Sequence, residues 1–204
     1  SFLIEYNVSI STSLDGNEAI HDYNRSFTNG GGTYQTVVDK IRQIQNKNFT
    51  VGAIQTTTKY SLDKYKEIID EYVKCNQTSI FIRPLTRLGT AARVWDEIGY
   101  TADEFIDFYR DCLEYILEIN MNGGTMVEGH ATIFLAKILR GAGQNYMELR
   151  SPCGATVGQV AYYFNGDIYT CDEGRMLAEM GDNAFRLGNV YSSSYEDLIK
   201  SPVC

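Results

Sequence analysis

Two of the five cysteines frame a stretch that reads as a β-hairpin. From Cys153 to Glu173 the chain runs CGATVGQVAYYFNGDIYTCDE, with twelve residues between Cys153 and Gly166 and four between Gly166 and Cys171. Val160, Tyr162 and Phe164 alternate with other residues, Asn165-Gly166 marks the turn, and Ile168 and Thr170 resume the alternation. Asn-Gly reaches the positive φ angles that a two-residue hairpin turn needs. Such a turn brings Cys171 back beside Val160, and Gly154 and Gly158 let the backbone between them bend. Two thiolates on one β scaffold make a half-site for a soft metal centre. The pair does not have the Cys-x-x-Cys spacing of a self-contained zinc site. Packing is the other reading of each thiol, because free cysteine behaves as a small apolar residue.

A second set of candidates depends on the fold. Residues 7–13 (NVSISTS) read as a strand, as do Phe49 to Gln55 and Thr78 to Ile82. Helices are expected between them. Thr33 caps one running to Gln45, with Val37, Val38, Ile41 and Ile44 on one face. Ser61 caps the next, to Lys74, with a stripe of Leu62, Tyr65, Ile68, Ile69 and Tyr72. After a loop to Tyr100, Thr101 caps a long helix to Asn120. Three strand–helix units in a row argue an α/β fold with a parallel sheet. Ligands in such folds bind at the carboxyl ends of the strands. That rule selects Ser13-Leu14-Asp15-Gly16, Thr56-Thr57-Thr58 and Arg83-Pro84-Leu85. The hydroxyls of Ser13 and Thr56 suit a ribose, and a guanidinium suits a carboxylate. Taken singly each has an ordinary alternative. Asp15-Gly16 is a common turn, threonine runs are common loops, and Arg83 can be a surface ion-pair partner.

Further on, residues 129–140 read as a helix, Asp172 to Met180 as a short one, Arg186 to Val190 as extended, and Ser194 caps a last helix. The two histidines, His21 and His130, have no ligand spacing and read as structural. Cys75 and Cys112 fall on helix faces among aromatic residues and read as core. Cys204 is either a cluster ligand or an incidental thiol.

The cysteine spacing and the words GDIYTCDE and FRLGNVYSSSYEDLIKS resemble the opening of the SPASM domain, which follows the barrel of peptide-modifying radical S-adenosylmethionine (SAM) enzymes. The order SPCGA, DEGRMLAEMGD, FRLGNV is similar to that of the radical SAM maturases of the His-Xaa-Ser peptide system. SLDG followed by His21, Asp22 and Arg25 resembles the fourth-strand region of the same enzymes, with Asn17 in place of a usual proline. The resemblance covers nearly the whole chain.

The resemblance implies a fold, a chemistry and a set of roles. The fold is the C-terminal half of a partial (β/α)6 barrel over residues 1–148, strands four to six, followed by the start of a SPASM domain with its hairpin over residues 149–204. Cys153 and Cys171 are then ligands of an auxiliary [4Fe–4S] cluster. Ser13 and Arg25 lie near the ribose and methionine parts of SAM, Thr56 and Thr57 at the end of strand five, and Arg83 and Leu85 beside the adenine. Asp172 directly follows Cys171, where sulfatase-maturing relatives have an aspartate that removes a proton during substrate oxidation; capping the helix DEGRMLAEM is its alternative role. The partner is a peptide or protein substrate, with a His-Xaa-Ser repeat peptide as the family's example. The CxxxCxxC motif for the SAM-binding cluster and the later SPASM cysteines are not in this sequence. The chain is therefore expected to be an internal fragment, inactive alone, of a longer enzyme. A non-catalytic iron–sulfur or peptide-binding scaffold, or an unrelated α/β enzyme with structural cysteines, are the competing readings.

Bulk properties set the outer bounds. The 204 residues are 44% hydrophobic and 22% charged, enough for one large packed domain. A net charge of −8 disfavours nucleic acid and anionic membrane surfaces as partners. No apolar run has the length of a membrane span. The cysteines do not form a secreted disulfide pattern, so a reducing cytoplasm is expected.

Overall fold

The computed structural model describes residues 2–141, 150 and 152–203. The expected boundary between residues 148 and 149 lies outside the described residues, as does Cys204. The chain divides into two compact units, Ser1–Leu85 with Trp95–Leu135, and Thr86–Val94 with Ala136–Cys204.

In the first unit, α1 (Phe2–Glu5) leads into a four-stranded parallel sheet in the order β1 (Ile10–Ser13), β2 (Val51–Thr56), β3 (Ser79–Arg83), β4 (Val127–Glu128). α2 (Glu18–Asn24) and α3 (Tyr34–Gln45) connect β1 to β2, and a 3-10 turn (Lys59–Ser61) with α4 (Tyr65–Lys74) connects β2 to β3. Between β3 and β4 come α5 (Thr90–Arg93, in the second unit), α6 (Trp95–Ile98) and α7 (Ala102–Met121), and α8 (Gly129–Arg140) follows β4.

The core explains this arrangement. Val38 and Ile41 of α3, Ile68, Ile69 and Tyr72 of α4, and Phe108, Cys112 and Ile116 of α7 are buried together with Val51, Ala53, Ile80 and Ile82 of the strands. These strand residues alternate along the chain, so they share one sheet face. Ile10 packs with them. The other face carries Ser11, Ser13, Gly52, Ile54, Ser79 and Phe81, in the register rows Ser11↔Gly52 and Ser13↔Ile54↔Phe81. None of these joins the core cluster. The helical stripes expected from periodicity are borne out, and Cys75 and Cys112 are core residues.

Several helix starts differ from expectation. Thr101 caps α7 as read, in a reciprocal box with Glu104. Thr33 makes no side-chain cap; Asp22 Oδ1 instead accepts the N–H groups of Thr33 and Tyr34, each at 2.7 Å. Ser61 does not start α4. Its Oγ accepts the Thr58 N–H at 2.9 Å, closing the 3-10 turn, and α4 begins four residues later. The stretch read as loop to Tyr100 contains α5 and α6. β4 escaped the sequence pattern because two residues are too few for a period.

Glu128 shows how so short a strand is held. It pairs with Ile80, is buried, and its carboxylate accepts from the Ile82 N–H (3.1 Å), the Ala131 N–H (2.7 Å) and the Tyr109 hydroxyl. One side chain thus satisfies the open end of β3 and the first turn of α8.

In the second unit, β5 (Ala161–Tyr162), β6 (Asp167–Tyr169) and β7 (Arg186–Asn189) form an antiparallel sheet, with α9 (Asp172–Glu179) and α10 (Tyr195–Ile199). The hairpin is present, but its turn is not the two-residue form. Tyr163 N–H donates to the Asp167 carbonyl, and Gly166 N–H to the Tyr163 carbonyl. Gly166 has φ +87° and Asn165 is not among the positive-φ residues. This is a three-residue loop with glycine alone in the left-handed position. Strand pairing ends at Tyr169, opposite Ala161, so Cys171 is not a strand partner of Val160. Arg186 and Asn189 of β7 donate to Asp167 Oδ1 at 2.5 and 3.0 Å, which holds its carboxyl down at about 2.

Replacing Glu128 by alanine strands two backbone donors and a tyrosine hydroxyl, and is expected to lower unfolding free energy by about 3 kcal/mol. Glu128→Gln, which keeps an acceptor, should lose less. Urea unfolding followed by circular dichroism measures both, and equal stability of Glu128→Ala and the parent would refute this role.

Candidate functional site

The carboxyl ends of the first two strands converge on one buried carboxylate. Asp15, two residues past β1, is 1% exposed. It accepts Arg25 Nε at 2.8 Å and Nη2 at 3.3 Å, Asn24 Nδ2 at 3.3 Å, and the Thr56 backbone N–H at 3.0 Å. Nη2 also donates to Thr56 Oγ1 at 3.3 Å, and Thr58 Oγ1 donates to Asn24 Oδ1 at 3.0 Å. The end of β1, the last turn of α2 and the end of β2 are therefore tied through one side chain. From behind, the Tyr72 hydroxyl of α4 donates to the Leu14 carbonyl at 2.7 Å.

His21 completes the network on the helix side. The Asp15 N–H donates to His21 Nδ1 at 3.2 Å, so Nδ1 is unprotonated. The proton of the neutral ring is on Nε2, 3.1 Å from Thr33 Oγ1, whose hydroxyl donates to the Arg25 carbonyl at 2.6 Å. Burial pushes the His21 pKa down; Asp15 and Asp22 oppose that shift and Arg25 adds to it. His21 is structural, as its spacing suggested, but it braces the backbone that presents Arg25.

Of the residues selected by the strand-end rule, Ser13, Thr56 and Arg83 lie on the sheet face away from the core cluster, where Phe81 packs on His130 of α8 (4.3 Å), and Arg25 reaches Thr56 from the side. Thr56 and Arg83 are register partners. Thr57 is fully buried and its hydroxyl donates to Gln55 Oε1 at 3.0 Å. Its N–H continues the ladder to the Arg83 carbonyl at 2.9 Å. Leu85 is half-buried, and its N–H is taken by the Tyr100 hydroxyl at 2.5 Å. The strand-end rule takes in Asp15 and Thr58 only as members of their stretches, with a turn as the alternative for Asp15-Gly16, and does not select Asn24. The signal was the spacing of Asp15 to the HDxxR stretch, which places Arg25 one helix beyond the carboxylate it neutralises.

In the second unit Cys153 is exposed and Cys171 half-buried, both free thiols. The Thr156 N–H donates to the Thr170 carbonyl at 3.1 Å, tying the segment after Cys153 to the residue before Cys171. Cys171, not Asp172, is the N-cap of α9, and its sulfur accepts the Gly174 N–H at 3.4 Å. Gly174 is required here, since a Cβ would stand 2.8 Å from Phe185. Asp172 is the first residue of α9, exposed, with Arg175 Nε at 3.3 Å. Among the described residues no group of three or more histidine, cysteine, aspartate or glutamate side chains can hold a metal ion. Two thiolates are an incomplete set for a four-iron cluster, so the described residues alone do not make that site.

No helix among the described residues is long and apolar enough to cross a membrane. No protein-family model matches the chain, and no curated protein matches it. Solved structures do. Native anSMEcpe with bound AdoMet superposes with a TM-score of 0.79 at 18% identity, over 99% of this chain and 52% of that one. Native anSMEcpe with bound AdoMet and Cp18Cys peptide gives 0.77 at 18% identity, over 99% and 53%. The corresponding structure with Kp18Cys peptide gives 0.77 at 18% identity, again over 99% and 53%. anSMEcpe is an anaerobic sulfatase-maturating radical SAM enzyme. This chain has the α/β fold of that enzyme over about half of its length.

Two outcomes are expected from this geometry. Asp15→Asn puts an amide against Arg25 and should cost about 3 kcal/mol, because a guanidinium loses its buried counter-charge; a thermal or urea midpoint reads it. His21, with its pKa lowered in the fold, binds a proton more readily when unfolded. Its stabilising contribution is complete above the unfolded value of about 6.5 and is lost as pH falls below it toward the folded value. The unfolding midpoint should therefore drop between pH 7.5 and 5.5, and less so in His21→Asn. Identical pH slopes in the two proteins would exclude His21 as the source.

Proposed function

We propose that this chain is part of a radical SAM enzyme that modifies a peptide or protein substrate, and that its first unit supplies one wall of the SAM site. The supporting observation is the cluster of Ser13, Arg25, Thr56 and Arg83 at the carboxyl ends of parallel strands, on the sheet face away from the core cluster, in a fold shared with AdoMet-bound structures. The residues fit the group. SAM presents ribose hydroxyls, an adenine edge and an amino-acid end, and the site offers two hydroxyls and two guanidinium groups. Ser13 and Thr56 face the ribose, Arg25 the ribose and methionine side, and Leu85 with the backbone around it the adenine. Thr57 supports the wall from behind.

In the second unit, Cys153 and Cys171 are two of the ligands of an auxiliary [4Fe–4S] cluster, with the remaining ligands from outside this chain. The N-cap position of Cys171 fixes its sulfur against the Gly174 N–H. Asp172 follows it and is exposed, and in this reading it accepts a proton from the substrate once the Arg175 contact yields. Such a cluster stores and passes electrons during oxidation of the substrate. The peptide partner is consistent with the peptides in two of the similar structures. A His-Xaa-Ser repeat peptide in a cytoplasmic maturation system is the specific substrate and setting we infer.

The test is anaerobic reconstitution of the full-length protein that carries this chain. Iron is counted, and reductive cleavage of SAM to 5′-deoxyadenosine is assayed. Cys171→Ala is expected to lose about four irons per chain while SAM cleavage persists. Asp172→Asn should keep SAM cleavage and lower peptide product at least tenfold. A protein that holds no iron and leaves SAM intact would end this reading and leave the cysteines as packing residues.

A further inference from the structure

Two buried carboxylates reach the strand ends, and both are spent. Asp15 accepts from Arg25, Asn24 and the Thr56 N–H, and Glu128 from Ile82, Ala131 and Tyr109. His130, in the first turn of α8, still has an acceptor to offer. Its Nδ1 lies 2.9 Å from the Ile82 carbonyl, which can only accept, so the proton of the neutral ring is on Nδ1 and Nε2 carries a lone pair. Nε2 has no hydrogen-bond partner among the described residues and is not a buried atom. The ring is also packed in place. Its centroid is 4.3 Å from that of Phe81 and 6.2 Å from that of Phe134. Gly129 lets α8 approach this closely, since a Cβ there would stand 2.2 Å from Phe81 Cδ2. Phe81 belongs to the sheet face away from the core cluster, in the row Ser13↔Ile54↔Phe81. Half-buried His130 therefore presents a fixed, neutral acceptor beside that face. It stands at the β3–β4 edge of the sheet, whereas the Asp15–Arg25 pair lies past the end of β1.

The expectation that His130 is structural accounts for Nδ1 alone. We propose that His130 Nε2 is a substrate-binding atom, which accepts a hydrogen bond from an N–H or O–H group of the peptide. This rests on the reading of a peptide substrate at this end of the sheet. A histidine whose Nδ1–H is fixed by a main-chain carbonyl has its Nε2 lone pair aimed in one direction. No group of metal-ligating side chains gathers around it among the described residues, so its use is to accept a hydrogen bond. The groups that face SAM in that reading come from the ends of β1, β2 and β3. α8 follows β4, so the group that meets Nε2 belongs to the second molecule. The two phenyl rings beside the imidazole keep water from part of its surface, which strengthens a hydrogen bond made there.

Diethyl pyrocarbonate transfers an ethoxycarbonyl group to an unprotonated imidazole nitrogen and releases carbon dioxide and ethanol. His21 and His130 are the two histidines of this chain, and His21 is fully buried with both ring nitrogens engaged. In the full-length protein that carries this chain, mass spectrometry should find the label on His130 and not on His21. A blocked peptide of His-Ala-Ser repeats, with the reagent in excess over all histidines, should slow labelling of His130. SAM and 5′-deoxyadenosine should not. Two variants separate binding from support. His130→Asn keeps a donor for the Ile82 carbonyl and loses the Nε2 acceptor, and His130→Gln does the reverse. Peptide affinity by isothermal titration is expected to fall about tenfold in His130→Asn and less in His130→Gln. SAM affinity should be unchanged in both, with folding checked by circular dichroism. An unreactive His130, labelling that the peptide does not slow, or protection by SAM or 5′-deoxyadenosine alone each overturns the proposal. So does a peptide affinity that falls only in His130→Gln, the pattern of a purely structural role. If the peptide protects His130 in a protein that binds no SAM, the radical SAM reading falls and the binding atom stands.

Discussion

A carboxylate with almost no contact with water holds the strand ends of this chain together. Removing Asp15 from solvent carries a desolvation cost of several kcal/mol, which is recovered only if its oxygens are fully used. They are, by two nitrogens of Arg25, by Asn24 and by the Thr56 N–H. The partners come from the end of α2 and the end of β2, so satisfying one charge fixes these two pieces of backbone and its own at once. His21 and Thr33 then fix the carbonyl of Arg25, and Tyr72 fixes that of Leu14. An interaction of this kind specifies geometry more than it adds stability.

That rigidity matters because of the sheet it sits on. Every buried helix stripe of the first unit packs on the same face, the face of Val51, Ala53, Ile80 and Ile82. The opposite face is built from serine, glycine and threonine positions with Ile54 and Phe81 between them. Small polar side chains on that face leave hydrogen-bonding capacity unspent, apart from Phe81, which packs on His130 of α8. The polar groups are gathered at that end, and the buried network keeps them there.

The second unit follows a different economy of contacts. Its three strands are short, and Asp167, held by Arg186 and Asn189, secures the hairpin's return strand. Cys171 ends that hairpin by capping α9, so its sulfur is fixed by local backbone rather than by a partner cysteine. The cysteine pair and the strand-end cluster thus depend on unrelated local devices.

Periodicity alone gave the alternation of strands and helices, the stripes of α3, α4 and α7, and the Thr101 cap, because each is encoded within one or two turns of chain. The strand-end rule then selected Ser13, Thr56 and Arg83, each of which is the last residue of its strand. What local pattern cannot carry is partnership across distance. Asp15 read as a turn because its role is set by Arg25, ten residues on, and Thr56, forty-one residues on. Asp22, rather than Thr33, holds the start of α3 for the same reason, and Glu128 takes over a β3 hydrogen bond from forty-six residues away. Asn-Gly announced a turn but not its length, which strand register decided through Gly166 alone. The amino-acid sequence thus determined the elements and their chemistry-bearing ends, since those follow from local preference and hydrophobic period. Only tertiary structure decided which charges are spent and which are free, because compensation is a property of neighbours in space.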